Sequence, residues 1–335
     1  MRTNGESGGR TLVTGATGFT GSRLARRLVE EGKEVVAFVR ATSETRELDA
    51  LGVETRVVDI RSREEVARAF EGFGRVYHIA AAFRAQHADT HEFHRVNVDA
   101  TAHLLEMARD HGVERFVHCS TVGVQGEIED PPATEDHPFN PGDLYQETKL
   151  EGELLAREHM NDPDGPEVTV VRPVGIYGPG DRRFLKLFRP IARGRFVMVG
   201  NGKSLYHLTF IADLVEGILL AGRHPAAPGE VFTLAGSRYT TLNELVVLIA
   251  DALGVAPPRL RIPYTPVYLA SVVCDRTFRA VGLSPPLYPR RVEFFSKDRA
   301  FDITRARTVL DYEPRVDLEE GLRRTGEWYR QQGLL

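Results

Sequence analysis

The chain contains very little cysteine and no long apolar run. Its two cysteines, Cys119 and Cys274, stand far apart and match neither a disulfide framework nor the paired spacing of a zinc site. No apolar stretch approaches the roughly 18–20 residues that a membrane-spanning helix needs. The first ten residues, MRTNGESGGR, lack the apolar centre of a secretory signal. We therefore expect a short disordered leader, reduced thiols, no transmembrane segment and a cytoplasmic location.

An excess of charge of one sign is also missing. The 335 residues carry 43 Lys and Arg against 47 Asp and Glu, for a net charge of −4, and the two signs are mixed along the chain. This balance argues against a nucleic-acid-binding surface. With 42% hydrophobic and 27% charged residues, the composition is that of a globular protein with one large or two smaller domains.

Six short apolar runs, separated by helical patterns, occupy the first half of the chain. They are continuous rather than alternating, as expected of strands that are covered on both faces. The runs lie at residues 11–13, 35–39, 53–58, 76–80, 116–119 and 168–171. Between the first two, Leu24 and Leu28 stand four apart, as on one face of a helix. The rhythm predicts an α/β fold with a Rossmann-type, doubly wound parallel sheet.

The pattern changes near residue 182, beyond which helical runs dominate and prolines cluster. Thr241 and Glu244 have the spacing of a capping box ahead of an apolar helix. We therefore divide the chain into a first domain, residues 10–181, and a smaller, mostly helical C-terminal lobe, residues 182–335. A segment at about 205–235 is expected to return to the first domain.

Three glycines spaced three apart, Gly15, Gly18 and Gly21, stand between the first apolar run and an amphipathic run. A helix N-terminus offers unpaired N–H groups and a partial positive charge, and glycines let the backbone approach a pyrophosphate closely. With a strand before and a helix after, this turn predicts a dinucleotide cradle that includes Thr17 and Phe19. A plain turn with glycines for its geometry is the alternative.

The second predicted strand ends in an arginine where NAD-binding chains carry an acidic residue. Arg40 closes the run VVAFVR, and no carboxylate follows until Glu44. A guanidinium suits a 2′-phosphate, whereas a carboxylate would bond the ribose diol of NAD. We therefore predict NADP as the cofactor. If Arg40 merely stacks on the adenine, NAD would serve equally well.

Tyr145 and Lys149 stand four apart in a predicted helix and so share a face. A neighbouring ammonium favours the phenolate and lowers the pKa of the phenol from about 10, which suits a general acid or base. Ser120 and Thr121 follow a predicted strand, at the edge where open α/β sheets bind ligands. Together these residues predict a hydride-transfer site. The alternative is that Tyr145 and Lys149 are an ordinary pair on a helix surface, which this spacing more commonly indicates.

The run HADTHEFH places His87, His91 and His94 within one predicted helix. Three histidines on one helix could bind a metal ion, but this face of the helix would be remote from the predicted hydride-transfer site. We therefore predict no metal.

The sequence resembles the extended short-chain dehydrogenase/reductases over essentially residues 10–331. The resemblance rests on TGATGFTG, on Tyr145 and Lys149, and on the runs RPVGIYGPGD and FDITRARTVLDYEP at residues 172–181 and 301–314. It also rests on Asp59–Ile60 and Ala80–Ala81, each after a predicted strand. The family implies a nicotinamide cofactor, a Ser/Thr–Tyr–Lys site, a C-terminal substrate lobe and a homodimer formed through four helices.

The same resemblance assigns roles to further residues. It implies Thr121, rather than Ser120, as the catalytic hydroxyl, with Ser120 supporting the strand end, and Asn97 as a residue that holds neighbouring backbone. The implied cofactor contacts are Asp59, Ile60, Ala80, Ala81, Lys149, Pro173, Val174 and Gly175. The implied substrate-pocket residues are Phe83, Arg84, Phe184 and Tyr206.

The chain departs from the nucleotide-sugar members of that family. They usually carry an asparagine where this chain reads Val174–Gly175–Ile176, and a phosphate-binding arginine where it has Tyr206. The runs GNGKSL, TFIAD and SPPLYPRRVEFFSKDRAFDI are more similar to the 3β-hydroxysteroid dehydrogenase-like branch. The apolar stretch at residues 264–273 is expected either to line a pocket for a fused-ring substrate or to make a packing, dimer or membrane-surface contact.

Three functions therefore stand at this point. The first is an NADP-dependent dehydrogenase or ketoreductase that acts on a ring alcohol or ketone of sterol or isoprenoid type. The second is a nucleotide-sugar epimerase, dehydratase or reductase. The third is a non-catalytic NADP-sensing protein, against which the intact Tyr145 and Lys149 pair argues.

Overall fold

A computed structural model of the protein describes residues 9–83 and 90–335. The strands are β1 (Arg10–Thr14), β2 (Val35–Val39), β3 (Glu54–Val57), β4 (Phe73–His78), β5 (Arg115–Cys119), β6 (Glu167–Pro173), β7 (Ile176–Tyr177), β8 (Met198–Val199), β9 (Leu205–His207), β10 (Thr209–Phe210), β11 (Val231–Leu234), β12 (Tyr239–Thr241) and β13 (Arg261–Ile262).

The helices follow the same chain order. They are α1 (Phe19–Glu30), α2 (Arg46–Ala50), α3 (Arg63–Ala69), α4 (Thr90–His94), α5 (Ala100–Asp110), α6 (Leu144–Glu158), α7 (Leu185–Ala192), α8 (Ile211–Arg223), α9 (Leu242–Leu253), α10 (Tyr264–Ala280), α11 (Pro289–Glu293), α12 (Thr304–Leu310) and α13 (Leu318–Gln331). A π-helical segment, Arg95–Asp99, joins α4 to α5.

Seven strands form one parallel sheet in the order β11-β6-β5-β4-β1-β2-β3. The predicted doubly wound α/β fold is confirmed, and all six predicted strands lie on β1 to β6. The direction of strand addition reverses between β1 and β4, because β2 and β3 add on one side of β1 and β4 to β6 on the other. Open α/β sheets bind ligands beyond the carboxyl ends of the strands at such a point.

Two cores cover the sheet, one on each face. Alternate residues of a strand point to opposite faces, so Leu12 of β1 joins one core together with Leu104 of α5. Its neighbour Val13 joins the other core, with Leu24 and Leu28 of α1. The helical face predicted for α1 is therefore the buried one.

Strand β3 departs from the expectation that both faces of each strand are covered. It lies at the edge of the sheet, and its Val57 is 67% exposed. The sequence pattern could not reveal this, because the position of a strand within the sheet depends on pairing between distant segments.

The C-terminal part of the chain adds three small two-stranded pairings and most of the remaining helices. Thr241 caps α9 as its spacing predicts, since its hydroxyl oxygen accepts a hydrogen bond from the backbone N–H of Glu244 at 3.2 Å. Strand β11 pairs with β6 in the main sheet. In the described ranges, no helix is both long enough and apolar enough to cross a bilayer.

Candidate active site

A cavity of about 530 Å³ opens beyond the carboxyl ends of the central strands. Its walls come from the β1–α1 turn, from the segments after β2, β3, β4, β5 and β6, and from the start of α6. The cavity thus lies at the switch point of the sheet. Four cationic side chains line it, Arg40, Arg61, Lys149 and Arg183, against the acidic Asp59 and Glu92. This excess of positive charge suits an anionic ligand.

Helix α1 begins at this cavity without a cap. Gly18 stands at its N-cap position and supplies no side-chain hydrogen bond, and no acidic residue lies in the first turn. By contrast, Ser62 caps α3 and Asp143 caps α6 through their side chains. The free N–H groups of α1 therefore face the cavity as donors for a phosphate.

Two glycines in the same turn are required by close backbone contacts. Gly15 has φ +70°, and a Cβ there would lie 2.8 Å from the backbone of Ala80. A Cβ on Gly21 would lie 2.2 Å from the carbonyl oxygen of Gly15. The glycine spacing thus packs α1 tightly against its own turn and against the end of β4.

The ends of β2 and β3 form the part of the cavity that contains Arg40. Arg40 is exposed, and its backbone N–H donates to the Ser43 hydroxyl at 3.2 Å. The Arg61 guanidinium donates to both carboxylate oxygens of Asp59, at 2.8 and 2.7 Å, and to Glu92 at 2.7 Å. Hydrogen bonds from Arg61 hold the pKa of Asp59 below its usual value. Both acidic groups of the cavity are thus already paired with Arg61.

Tyr145, in the first turn of α6, is half-buried and lines the cavity. The Thr121 hydroxyl interacts with the phenol, and its oxygen accepts the backbone N–H of Gly123 at 3.1 Å. The Phe83 ring packs edge-on against the Tyr145 ring, with centroids 4.9 Å apart. The phenol and the Thr121 hydroxyl therefore stand together, as two groups that can bond one oxygen of a ligand.

Lys149 follows one turn later on α6, as the spacing predicts. Its side chain is buried, and its ammonium donates to the Cys119 carbonyl at 2.7 Å. Burial lowers the pKa of Lys149, and the interactions with Cys119 and Glu153 oppose that shift.

The phenol of Tyr145 does not show the lowered pKa that the sequence led us to expect. Burial raises its pKa, the interaction with Cys119 adds to the rise, and the Thr121 hydroxyl and the charge of Arg183 oppose it. Desolvation disfavours the charged phenolate more strongly than these groups favour it. The phenol is therefore protonated at neutral pH in this structure.

Ser120 is placed differently from its neighbour. It is buried, and its hydroxyl donates to Glu153 at 2.6 Å. Glu153 in turn pairs with the buried guanidinium of Arg172 on β6, whose Nε lies 3.0 Å away. The Ser120 hydroxyl therefore ties the end of β5 to α6 and β6.

Asn97 fixes the backbone at the end of β4. Its side-chain oxygen accepts the backbone N–H of Ala82 at 2.9 Å, and its amide donates to the Ala82 carbonyl at 3.3 Å and to the Thr148 hydroxyl at 3.0 Å. It lies in the π-helical segment, a distortion that is frequent at functional sites. Asn97 thus joins the wall of the cavity to α6.

Two buried histidines lie beneath this wall. His78 contacts the hydroxyls of Thr14 and Thr101 at 2.8 and 3.1 Å, and burial lowers its pKa to about 3, with help from the charge of Lys149. The ring nitrogens of His118 have no hydrogen-bond partner among the described residues. Burial likewise holds the pKa of His118 well below its usual value, so both rings are neutral.

Most of the residues singled out from the sequence line this one cavity. They are Gly15, Thr17, Gly18, Phe19, Gly21, Arg40, Asp59, Ile60, Ala80, Ala81, Phe83, Ser120, Thr121, Tyr145, Lys149, Pro173 and Gly175.

Three expected contacts lie elsewhere. Val174 is buried, and its backbone N–H donates to Leu234 at 3.0 Å. The Phe184 ring packs on Tyr177, at 6.1 Å between centroids, and Tyr206 is buried with its hydroxyl bonded to the Phe294 carbonyl and to Arg299. Neither aromatic ring lines the cavity. Arg84 lies outside the described residues, and so does His87.

The sequence reasoning missed Arg183, which lines the cavity beside the expected Phe184. Its guanidinium donates to the buried Asp181 at 2.7 Å and stacks on the rings of Phe19 and Phe83, 5.9 Å from each centroid. Its position just after the run RPVGIYGPGD was the available signal. Glu153 was missed too, although it stands one turn beyond Lys149 on the same helix face.

The histidine run of α4 is not gathered into a cluster of ligands. His94 lies 3.2 Å from carboxylate oxygens of both Asp99 and Glu151. In the two described ranges, no three His, Cys, Asp or Glu side chains are grouped as metal ligands.

Residues 11–235 match the model of the NAD dependent epimerase/dehydratase family. Sterol demethylase protein B of Methylococcus capsulatus is 30% identical, over 97% of this chain and 99% of its own length. The 3 beta-hydroxysteroid dehydrogenase/Delta 5-->4-isomerase of Mycobacterium tuberculosis is 31% identical, over 94% of this chain and 88% of its own length.

Among solved structures, MoeE5 in complex with UDP-glucose and NAD is 27% identical and has a TM-score of 0.75, over 97% of this chain and 99% of that one. The sheet, the glycine turn and the Tyr145–Lys149 helix described above occur within the matched region. The chain therefore belongs to the NAD-dependent epimerase/dehydratase family, as an enzyme of the extended short-chain dehydrogenase/reductase type.

Proposed function

We propose that the protein is an NADP-dependent oxidoreductase that transfers a hydride between the nicotinamide and a lipophilic ring alcohol or ketone, of sterol or isoprenoid type. The observation that carries the proposal is the grouping of Tyr145, Thr121 and Phe83 in one cavity with the uncapped start of α1. A proton-transfer group and a dinucleotide cradle in the same cavity are what hydride transfer to a carbonyl requires.

The residues of the cavity fit a dinucleotide. The free N–H groups of α1 would hold the pyrophosphate, and Lys149 would bond the nicotinamide ribose. Ile60, Ala80, Ala81, Pro173 and Gly175 would border the rings. Asp59 and Glu92 are already paired with Arg61. The guanidinium of Arg40 and the hydroxyl of Ser43 therefore remain for a 2′-phosphate. This favours NADP over NAD.

When bound, the nicotinamide supplies or accepts the hydride. The Thr121 hydroxyl and the Tyr145 phenol hydrogen-bond the substrate oxygen and so fix its orientation. Tyr145 donates its proton to that oxygen in reduction and accepts one in oxidation. Since burial raises the pKa of the phenol further above neutral, the resting form of the site carries the proton that reduction of a ketone requires.

The substrate class follows from the side chains around Tyr145. Phe83 is 45% exposed beside the phenol, and Val122 and Ile176 also line the cavity. Such side chains favour a fused-ring or isoprenoid substrate. The names of two relatives, a sterol demethylase protein and a 3 beta-hydroxysteroid dehydrogenase, point the same way.

A nucleotide sugar is the second candidate. It is favoured by the likeness to MoeE5, whose structure holds UDP-glucose and NAD, and by Arg183, a cation that could meet a diphosphate. Against it, Tyr206 occupies the place where nucleotide-sugar members carry an arginine, and its side chain is buried away from the cavity. We also propose a cytoplasmic homodimer.

The test is a substrate panel with the purified protein. We expect NADPH, followed by its absorbance, to be consumed with a 3-ketosteroid or an isoprenoid ring ketone and not with UDP-glucose. Isomerisation of UDP-glucose without added cofactor, together with no ketone-dependent NADPH oxidation, would replace this proposal by the second candidate.

A further inference from the structure

One stretch of the C-terminal lobe exposes an unusual amount of apolar surface. In the described part of the chain, thirteen large hydrophobic side chains are exposed, and seven of them lie between residues 260 and 288. They include Leu269 and Val273, at 59% and 65% exposure, and Val281 and Leu283, at 66% and 59%. Concentrated exposure of this kind marks an interaction site rather than an ordinary surface.

Helix α10 carries the centre of this stretch. Leu269, Val273 and Ala280 are exposed and stand at helical spacing, so they lie on one face. Only Ser271 of its 17 residues is fully buried, whereas α9, with 12 residues, buries six. Helix α10 therefore lies on the protein with most of its side chains outward. None of its residues lines the cavity described above.

The same stretch is strongly basic, although the whole chain is slightly acidic. Residues 257–291 contain six exposed arginines and a single acidic residue, Asp275. Among the described residues, Arg276 and Arg291 have no carboxylate partner, while Arg279 pairs with Asp275. We call residues 260–291, with their exposed apolar side chains and the unpaired Arg276 and Arg291, the α10 surface.

We propose that the α10 surface docks on an anionic phospholipid membrane. The apolar side chains would enter the interface between headgroups and acyl chains, and the arginines would pair with lipid phosphates. The helix would lie in the membrane plane, since no described helix can span a bilayer.

A second copy of the chain fits this surface less well. A twofold contact through α10 would bring Arg276 and its neighbours close to the same arginines of the other copy, and unpaired like charges oppose association. An anionic lipid surface instead neutralises all of them. Charge complementarity therefore selects the membrane.

The α10 surface also connects to the cavity. Arg290, in α11, forms an ion pair with Asp143, the residue that caps α6 by accepting the backbone N–H of Gln146 at 2.9 Å. Tyr145 lies in the first turn of that same helix. A membrane that holds the α10 surface would thus lie beside the helix that bears the candidate catalytic tyrosine, where a lipophilic substrate could leave the bilayer.

The test is co-sedimentation of the full chain with vesicles. We expect binding to vesicles of phosphatidylcholine with phosphatidylglycerol, much weaker binding to pure phosphatidylcholine, and loss of binding in high salt. Leu269→Ser combined with Val273→Ser should reduce the bound fraction strongly, and Arg276→Gln should weaken binding to anionic vesicles about fivefold.

Matched controls lie outside the surface. Val247→Ser changes an exposed apolar residue of α9, and Arg46→Gln changes an exposed arginine at the start of α2; both variants should bind as the unchanged protein does. Circular dichroism melting establishes that each variant is folded.

Failure of the unchanged protein to bind anionic vesicles would overturn the proposal, and so would unchanged binding of the double variant. If the unchanged protein self-associates but does not bind vesicles, and the double variant does not self-associate, the α10 surface is a contact between copies of the chain instead. The test uses no substrate or cofactor, so its outcome is independent of the proposed reaction.

Discussion

At the scale of single residues, the choice of cofactor depends on the surroundings of Arg40. The guanidinium is exposed at the end of β2, beside the Ser43 hydroxyl, and both acidic side chains of the cavity are engaged by Arg61. A 2′-phosphate would therefore meet a free cation and a hydroxyl, without a free carboxylate to repel it.

Replacing Arg40 by alanine should thus weaken NADPH binding far more than NADH binding. A charge-assisted hydrogen bond is worth roughly 1.5–3 kcal/mol, so the dissociation constant for NADPH should rise about 10- to 100-fold. Fluorescence titration with each cofactor measures the difference. Arg46→Ala, an exposed arginine nearby that does not line the cavity, serves as the control. Equal losses for NADPH and NADH would remove the argument for the 2′-phosphate.

His118 connects the site to the pH dependence of stability. Burial holds the pKa values of His78 and His118 below that of an exposed histidine, to about 3 for His78. Between about pH 6.5 and those values, the unfolded chain binds protons that the folded one does not. The free energy of unfolding therefore falls as the pH is lowered through this range, by roughly 2 kcal/mol at pH 5 for His78 and in the same direction for His118.

The variant His118→Leu should lessen this acid sensitivity, because it removes one of the two buried histidines. The substitution breaks no hydrogen bond of the ring among the described residues. The loss of unfolding free energy between pH 7.5 and pH 5, measured by urea denaturation, should be clearly smaller in the variant than in the unchanged protein. An identical loss in His118→Leu and the unchanged protein would show that His118 is protonated in the folded state.

At the scale of elements, the start of α1 depends on close packing between two glycines. A Cβ on Gly21 would lie 2.2 Å from the Gly15 carbonyl, a distance that forces the turn to move. Gly21→Ala should therefore cost about 1–3 kcal/mol of stability and weaken dinucleotide binding at least about tenfold. Thermal melting and cofactor titration measure the two effects.

Gly32→Ala is the matched control for that prediction. Gly32 has a positive φ, of +75°, but a Cβ there would meet nothing within 4 Å. It should lose some stability, as a left-handed residue does, and bind the cofactor normally. If Gly21→Ala bound the cofactor as tightly as Gly32→Ala, the turn would not be the cradle.

Elements were the part of the molecule that the sequence predicted well. Strands β1 to β6, the helical pair Tyr145 and Lys149, and the Thr241 cap of α9 all depend on residues that are close in the chain. Apolar continuity, helical spacing and capping chemistry act over that range. The edge position of β3 could not be predicted from such local patterns, because β3 pairs with β2 alone and that pairing joins separate segments of the chain.

At the scale of the whole molecule, the cavity is assembled from segments that are far apart in the chain, and sequence reasoning was weaker there. Phe184 was expected in the pocket, but its neighbour Arg183 lines it, because Phe184 packs on Tyr177. Tyr206 was expected there too, yet its hydroxyl is bonded to Phe294 and Arg299. Which way a side chain points depends on partners that local patterns do not reveal.

The same long-range assembly explains why the pKa of Tyr145 rises, although the sequence led us to expect it to fall. The spacing of Tyr145 and Lys149 places both on one helix face, but it does not reveal that Lys149 donates to the Cys119 carbonyl or how far the phenol is desolvated. In the folded molecule, burial outweighs the favourable contacts and raises the pKa. The enclosure of the phenol by β5, α6 and Phe83 thus moves its pKa further from neutral rather than toward it.

The most direct measurement is the turnover of Tyr145→Phe with NADPH and the ring ketone that the unchanged enzyme reduces, compared at equal cofactor saturation. The loss of the proton donor should lower kcat by about 100-fold or more, while the Kd for NADPH changes little. A kcat close to that of the unchanged enzyme, with the variant folded and the cofactor bound, would contradict the assignment of Tyr145 as the proton donor.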